Sequence, residues 1–149
     1  MVITELTGEQ CREVLARKNV GRLACARDDQ PYIVPVFLYF GAEDDALYSF
    51  STLGQKIEWM RSNPKICVEV EDIVDPFNWT TVIVFGRYEE LDGSSEEDAL
   101  RRAHELFQKR PEWWLPGSVH LSGAELRQFP LVFRLCIDRI SGRHASRAE

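Results

Sequence analysis

The chemistry-bearing residues of this 149-residue chain crowd into one stretch, Tyr48-Ser-Phe-Ser-Thr-Leu-Gly-Gln-Lys-Ile-Glu-Trp-Met-Arg61. A short apolar run ends at Phe50 and breaks into Ser51 and Thr52. Gly54, Gln55 and Lys56 follow, and a helical pattern starts with Ile57 and Met60 on one side. The first N–H groups of a helix lack intrahelical partners, and the helix dipole favours negative charge there. A lysine adds a point charge and hydroxyls add short donors. Together these groups suit a phosphate. The same residues also read as an ordinary helix cap beside a surface lysine, and spacing alone does not separate the two. The segment is not a Gly-x-x-x-x-Gly-Lys-Ser/Thr loop, and the chain contains no Gly-x-Gly-x-x-Gly.

Other chemistries find less support. The four cysteines, at 11, 25, 67 and 136, form no Cys-x-x-Cys pair, and the histidines at 104, 120 and 144 do not join them at zinc-like intervals. No metal site is expected. Cys25, Cys67 and Cys136 lie inside apolar, strand-like runs and read as buried reduced thiols. The net charge of -6 opposes a nucleic-acid surface, which is held mainly by clustered Lys and Arg. Arg134, Arg139, Arg143 and Arg147 are interrupted by acidic and apolar residues and read as a solvated strand face and a loose tail.

Composition, at 44% hydrophobic and 28% charged, is that of a soluble globular protein, and the length favours a single domain over 1–149. No apolar run approaches the roughly 20 residues that span a bilayer, and no signal peptide is visible. A cytoplasmic protein with no membrane contact is the expectation.

The elements that must position the 48–61 stretch follow from periodicity. Thr7-x-x-Gln10 is a capping box, and Cys11, Val14 and Leu15 share one helical face, ended by Asn19 and Gly21. Strands are predicted over 21–26, 32–40, 46–51, 65–71, 80–91 and 131–140, with a loop over 73–79 and a mobile tail over 143–149. Pro35 cannot donate to a ladder, so it belongs on an edge or at a bulge. Ile66, Val68 and Val70 alternate with Lys65, Cys67 and Glu69, as in a half-buried strand. The continuous apolar run 82–85 implies that both of its faces are covered. Ser94-x-x-Glu97 caps an amphipathic helix carrying Ala99, Leu100, Ala103, Leu106 and Phe107, and Ser122-x-x-Glu125 caps a short turn. Short connections make the sheet mainly antiparallel. The expected fold is mainly β with peripheral helices: a small barrel of six antiparallel strands.

This order and its landmarks resemble the pyridoxamine 5'-phosphate oxidase-like flavin-binding split barrels, in the branch of the nitroimidazole-resistance proteins. The matching pieces are Gly21-Arg-Leu-Ala24, Gln30-Pro-Tyr-Ile-Val-Pro-Val36, Leu47-Tyr-Ser-Phe-Ser51 with Gly54-Gln-Lys56, and Asn63-Pro-Lys-Ile-Cys-Val68. Later come Thr81-Val-Ile-Val-Phe-Gly86 and Val132-Phe-Arg-Leu-Cys-Ile-Asp138 with Ser141-Gly-Arg143. The resemblance covers about 20–143. It implies an FMN-binding split-barrel homodimer with flavin at the subunit interface. Phe50, Ser51, Thr52, Gln55 and Lys56 would hold the phosphate, with Lys56 as its cation. Val34, Pro35 and Val36 would run beside the isoalloxazine ring, and Trp79, Thr80 and Thr81 would border the cofactor. The branch often has Arg where Gln55 stands, so one phosphate charge partner is missing here.

The implied activity is flavin-dependent electron transfer to a small organic acceptor such as a nitro compound. The alternatives are a flavin-nucleotide carrier or redox sensor without turnover, or the same barrel holding haem or a deazaflavin. No catalytic residue is assigned. Trp113 and Trp114 would cover the ligand or pack an interface, and His120 is a proton donor near the flavin or an exposed loop histidine. Arg22 reaches a phosphate or makes an ion pair, and Trp59 reads as core.

Overall fold

The computed structural model describes residues 1–92, 97–109 and 131–148. The sequence features at Gly93, Ser94, Trp113, Trp114, His120 and 122–125 lie outside the described residues. Where the sequence signal is local, the structure follows it. Thr7 caps α1 (Gly8–Arg17): its Oγ1 accepts from the Gln10 N–H at 3.2 Å, and its own N–H donates to Gln10 Oε1 at 2.9 Å. Cys11, Val14 and Leu15 are the buried face of this helix. The chain continues through β2 (Val20–Arg27), β3 (Gln30–Phe37), β4 (Tyr39–Gly41) and β5 (Ala46–Ser51), then α2 (Gln55–Ser62). Next come β6 (Lys65–Asp75), β7 (Asn78–Leu91), α3 (Glu97–Gln108) and β8 (Leu131–Ser146); β1 (Val2–Glu5) precedes α1.

All strand pairs are antiparallel. The order is β3-β2-β6-β7-β8-β5-β4, with β1 added beside β8. β3 and β5 stand far apart in that order, yet they touch. Ser49 Oγ on β5 donates to the Phe37 carbonyl at the end of β3 at 2.5 Å, so the sheet curls back on itself. The fold is the mainly β, antiparallel class read from the sequence. Pro35 sits on β3, which among the described residues pairs only with β2, so it lies on an edge strand, where proline is tolerated.

Four expectations need correction. The sheet has eight strands among the described residues, not six. One is β1, which pairs with β8 over 143–146, so most of the expected mobile tail is strand. Gly142 on β8 lets α1 pack close: a Cβ there would meet Cys11 Sγ at 2.8 Å. The strand expected over 32–40 breaks at Leu38, whose N–H turns to the Asn19 carbonyl at 2.8 Å. The 73–79 loop is instead the tip of a long hairpin: Ile73 pairs with Trp79 and Asp75 with Asn78, and Asp75 Oδ1 caps the Phe77 N–H at 2.7 Å.

The main core lies inside the curl, where Leu23, Leu47, Val68, Val82, Val84, Phe133 and Leu135 are almost fully buried. A second cluster under α3 gathers Tyr39, Tyr48, Leu91, Ala103 and Phe107. Register puts Ala24, Ile33, Cys67 and Phe85 on the opposite, outer face. Among the described residues the outer face of β7 is less covered than the inner one. Phe85 remains 40% exposed and Ile33 64% exposed, against the expectation that both faces of the 82–85 run are covered.

Candidate functional site

The corner between β5 and α2 is built by a chain reversal after Ser51. Ile57 and Met60 are fully buried and seat α2 on the core, where it packs against β2. The N-cap is Gly54, extended at φ -174°, with no side-chain cap bond. Ser51 Oγ donates to the Thr52 carbonyl at 2.8 Å. The space around Gly54 is open, with no atom within 4 Å of where a Cβ would stand. The first N–H groups of α2 thus have no capping side chain.

Lys56 lies at this uncapped end and is half-buried. Burial holds its ammonium below the ordinary lysine range, and the neighbouring Cys25 side chain partly offsets that. Burial likewise pushes the Cys25 thiol up, against the pull of Lys56. Among the described residues no carboxylate pairs with Lys56. The arginines of α1, α2 and β8 fare differently: Arg12 binds Asp45 at 2.6 Å, Arg61 binds Glu90 at 2.7 Å, and Arg134 binds Glu89 at 2.9 Å. Such a half-desolvated cation, with no counter-ion among the described residues and close to a helix N-terminus, has the chemistry that suits an anion.

The other candidate residues divide into two groups. Val34 and Val36 face the core, and Pro35 faces outward beside Arg22. The contact of β3 with β5 brings 34–36 near the 50–56 corner. Thr52 is half-buried and Gln55 exposed at that corner. Phe50 points away, packing edge-on against Phe107 at 5.0 Å between ring centres. Trp79, Thr80 and Thr81 are not brought to it. They lie on β7, three strands from β3, about 14 Å at the usual strand spacing. Thr80 Oγ1 bonds His144 Nδ1 at 3.0 Å, while Thr81 faces outward and donates to Glu69 Oε1 at 3.0 Å. Thr81 also lines a hollow of about 610 Å³ with Ile83, Phe85, Ser141 and Arg143.

Arg22 makes the ion-pair alternative real, with Nη1 3.0 Å from Glu71 Oε1. Arg134 is not on a solvated face, because it bridges Glu89 and Asp44 with its side chain only 17% exposed. All four cysteines are free thiols, but Cys67 and Cys136 are only half-buried. The Cys25–Lys56 proximity was invisible in the sequence, since the two are joined only by the packing of α2 on β2. Among the described residues no group of His, Cys, Asp or Glu could hold a metal, and no helix is long and apolar enough to cross a membrane.

Residues 7–144 match the family model for pyridoxamine 5'-phosphate oxidase. An uncharacterised protein of Rhizobium meliloti is 39% identical over 100% of this chain and 99% of its own length. The crystal structure of a Mesorhizobium loti protein described as FAD-binding is 41% identical, with a TM-score of 0.79 over 98% of this chain and 100% of that one. A structure from Bacteroides thetaiotaomicron, solved as a candidate 5-nitroimidazole antibiotic resistance protein, shares the fold at 15% identity, with a TM-score of 0.66 over 97% of this chain and 89% of that one.

Proposed function

The chain belongs to the pyridoxamine 5'-phosphate oxidase family, and from that premise we propose that it binds the FMN moiety of a flavin nucleotide and works as a flavin-dependent oxidoreductase. The observation that carries the reading is Lys56, a half-buried ammonium with no carboxylate partner among the described residues, at a helix start without a side-chain cap. The flavin phosphate is the anion that fits it. Thr52 and the Ser51 hydroxyl supply further donors, the latter by giving up its bond to the Thr52 carbonyl. Gln55 adds an uncharged amide where a second cation would bind more tightly. Val34, Pro35 and Val36 lie along the ring, and Pro35, lacking an N–H, leaves carbonyls as the polar groups of that edge.

Trp79 pairs with Ala145 and Ser51 with Leu131, at opposite ends of β8, so in one protomer 79–81 stand away from this corner. The half-exposed Phe85 and Ile33 lie on the same outer face as Thr81. Both facts support a homodimer in which the outer faces meet, the flavin lies at the interface, and 79–81 serve the partner's site. A bound flavin supplies two-electron and one-electron chemistry of its own. The protein's residues then hold the phosphate, orient the ring and exclude water, so no protein nucleophile is needed. The proposed electron acceptor is a small organic molecule such as a nitro compound, and the proposed location is the cytoplasm.

The test is a visible spectrum of the purified protein, with mass identification of the released chromophore. It is followed by reduced-nicotinamide oxidation in the presence of nitroaromatic acceptors. A flavin spectrum with acceptor-dependent turnover supports the reading. Flavin without turnover on any acceptor leaves a carrier or redox sensor. A haem or deazaflavin spectrum, or a colourless protein that takes up neither FMN nor FAD, overturns it.

A further inference from the structure

Two helices rest on the same short strand. α1 and α3 both pack on β4, which lies at one end of the strand order. The C-terminal ends of the two helices leave a hollow of about 200 Å³ between them. Its walls are apolar. Leu15 of α1 and Leu38, just before β4, are almost fully buried, and Leu106 of α3 is half-buried. Tyr39 and Phe40 of β4 bring two rings to it, and Phe107 holds the Tyr39 ring edge-on, 5.1 Å between ring centres. The Leu38 N–H donates to the Asn19 carbonyl at 2.8 Å, which ties the chain after α1 to the floor of the hollow.

The charged groups at this hollow are of one sign. Lys18 and Lys109 line it, with Asn19 beside them, and no lining residue is acidic. Lys18 and Arg17 share Asp72, at 2.8 and 3.5 Å, so one carboxylate answers two cations there. Lys109 is exposed and, among the described residues, has no carboxylate partner. In a chain of net charge -6 this is a local reversal of sign. The helix dipole favours a cation at the end of each helix and accounts for each lysine singly. It does not account for the recessed apolar space that the two lysines share. Apolar walls under a positive rim suit an anion with an apolar body: the body leaves water while the charge stays with the ammonium groups. The two rings favour a flat body. Size narrows the class further, because about 200 Å³ is below the roughly 300–1,000 Å³ of sites for drug-sized ligands, and a nucleotide or a flavin is too large.

We propose that the hollow between α1, β4 and α3 binds a small aromatic carboxylate, its single ring against Leu15, Leu38 and Tyr39 and its carboxylate between Lys18 and Lys109. Lys109 gains its first carboxylate partner, and Lys18 keeps Asp72 while adding the ligand. The site shares no residue with the Lys56 corner, and the inference stands or falls independently of the flavin reading.

The test is calorimetric titration of the whole protein with benzoate and with benzamide, which has the same shape and no charge. Benzoate is expected to bind once per chain with a millimolar or tighter Kd, and benzamide about tenfold more weakly. Lys109→Gln should weaken benzoate about three- to tenfold and leave benzamide unchanged. Ala16 is exposed at the mouth, so Ala16→Trp should fill the hollow and abolish the binding of both. Lys65→Gln on β6 and Lys56→Met should bind benzoate as wild type does. A thermal melt of each variant confirms folding; if Ala16→Trp does not fold, Lys109→Gln decides. Equal affinity for benzoate and benzamide, no saturable benzoate heat at millimolar concentration, unchanged benzoate affinity in Lys109→Gln, or benzoate binding that survives in folded Ala16→Trp overturns the inference. So does benzoate binding lost in Lys56→Met and kept in Lys109→Gln, because the carboxylate would then sit at the other corner.

Discussion

Replacing Lys56 by Met separates the two energies that its ammonium carries. The methionine keeps most of the aliphatic stem and removes the charge. In the ligand-free protein that charge is half-buried and, among the described residues, pairs with no carboxylate, so losing it relieves a desolvation cost. Thermal stability without ligand is therefore expected to stay level or rise. With a flavin phosphate bound, the same substitution removes a charge-assisted contact worth about 1.5–3 kcal/mol, or roughly 10- to 150-fold in affinity. The two effects have opposite signs, which a merely structural role does not produce. At a ligand concentration about 100 times the wild-type Kd, binding stabilises wild type by roughly 2.7 kcal/mol; a 100-fold weaker variant keeps only about 0.4 kcal/mol. Fluorescence titration gives the affinities, and melts with and without flavin give the stabilities. Flavin affinity within about twofold of wild type would refute the phosphate assignment. So would a ligand-free variant that is plainly less stable, because it would mean that the ammonium has a partner within the fold.

The pH dependence follows from the same residue. Lys56 has a depressed folded value, so the unfolded chain binds more protons just below 10.5; ligand-free stability should rise with pH through that window, and the Lys56→Met variant should lack the rise. Flavin affinity should run the other way, falling as the ammonium loses its proton. Asp45 sits at φ 52°, which asparagine tolerates, and Arg12 beside it holds its carboxyl below 3.8. Asp45→Asn should cost at most about 1 kcal/mol at neutral pH, because the pair is partly solvated, and the difference should vanish as pH falls through the lowered carboxyl value. Gly86→Ala should destabilise by about 1–3 kcal/mol or more, read as a shifted urea midpoint at constant slope. The reason is that a Cβ there would stand 2.1 Å from the Cys136 backbone carbonyl oxygen. Ile33→Glu, on the outer face, should turn the proposed dimer into a monomer by light scattering; an unchanged mass would remove that face from the interface.

What could be read without coordinates is what neighbouring residues decide. The capping box at Thr7 and Gln10, the alternation of Ile66, Val68 and Val70, and the buried pair Ile57 and Met60 are contacts within a few residues, and all three hold in the fold. The antiparallel class followed from short connections in the same way. The tail was misread because Arg143, His144, Ala145 and Ser146 are strand only by virtue of pairing with β1 and β7, some 140 and 65 residues away in the chain. The long 73–79 hairpin was missed for a like reason: its cross-strand ladder outweighs the loop signal of Pro76.

The candidate site divides along the same line. Sequence placed hydroxyls, glycine and lysine at a strand–helix junction, but left an anion site and a plain helix cap equally open. Tertiary packing supplied the surroundings on which the proposed anion site rests. It turned Ser51 to a neighbouring carbonyl, left Gly54 in open space, and half-buried Lys56 against Cys25 with no carboxylate partner among the described residues. It also carried Trp79 and Thr81 to the far side of the sheet and folded Arg27 over Trp59. Burial and the absence of a counter-ion are properties of the surroundings of a charge, and those surroundings come from strands distant along the chain.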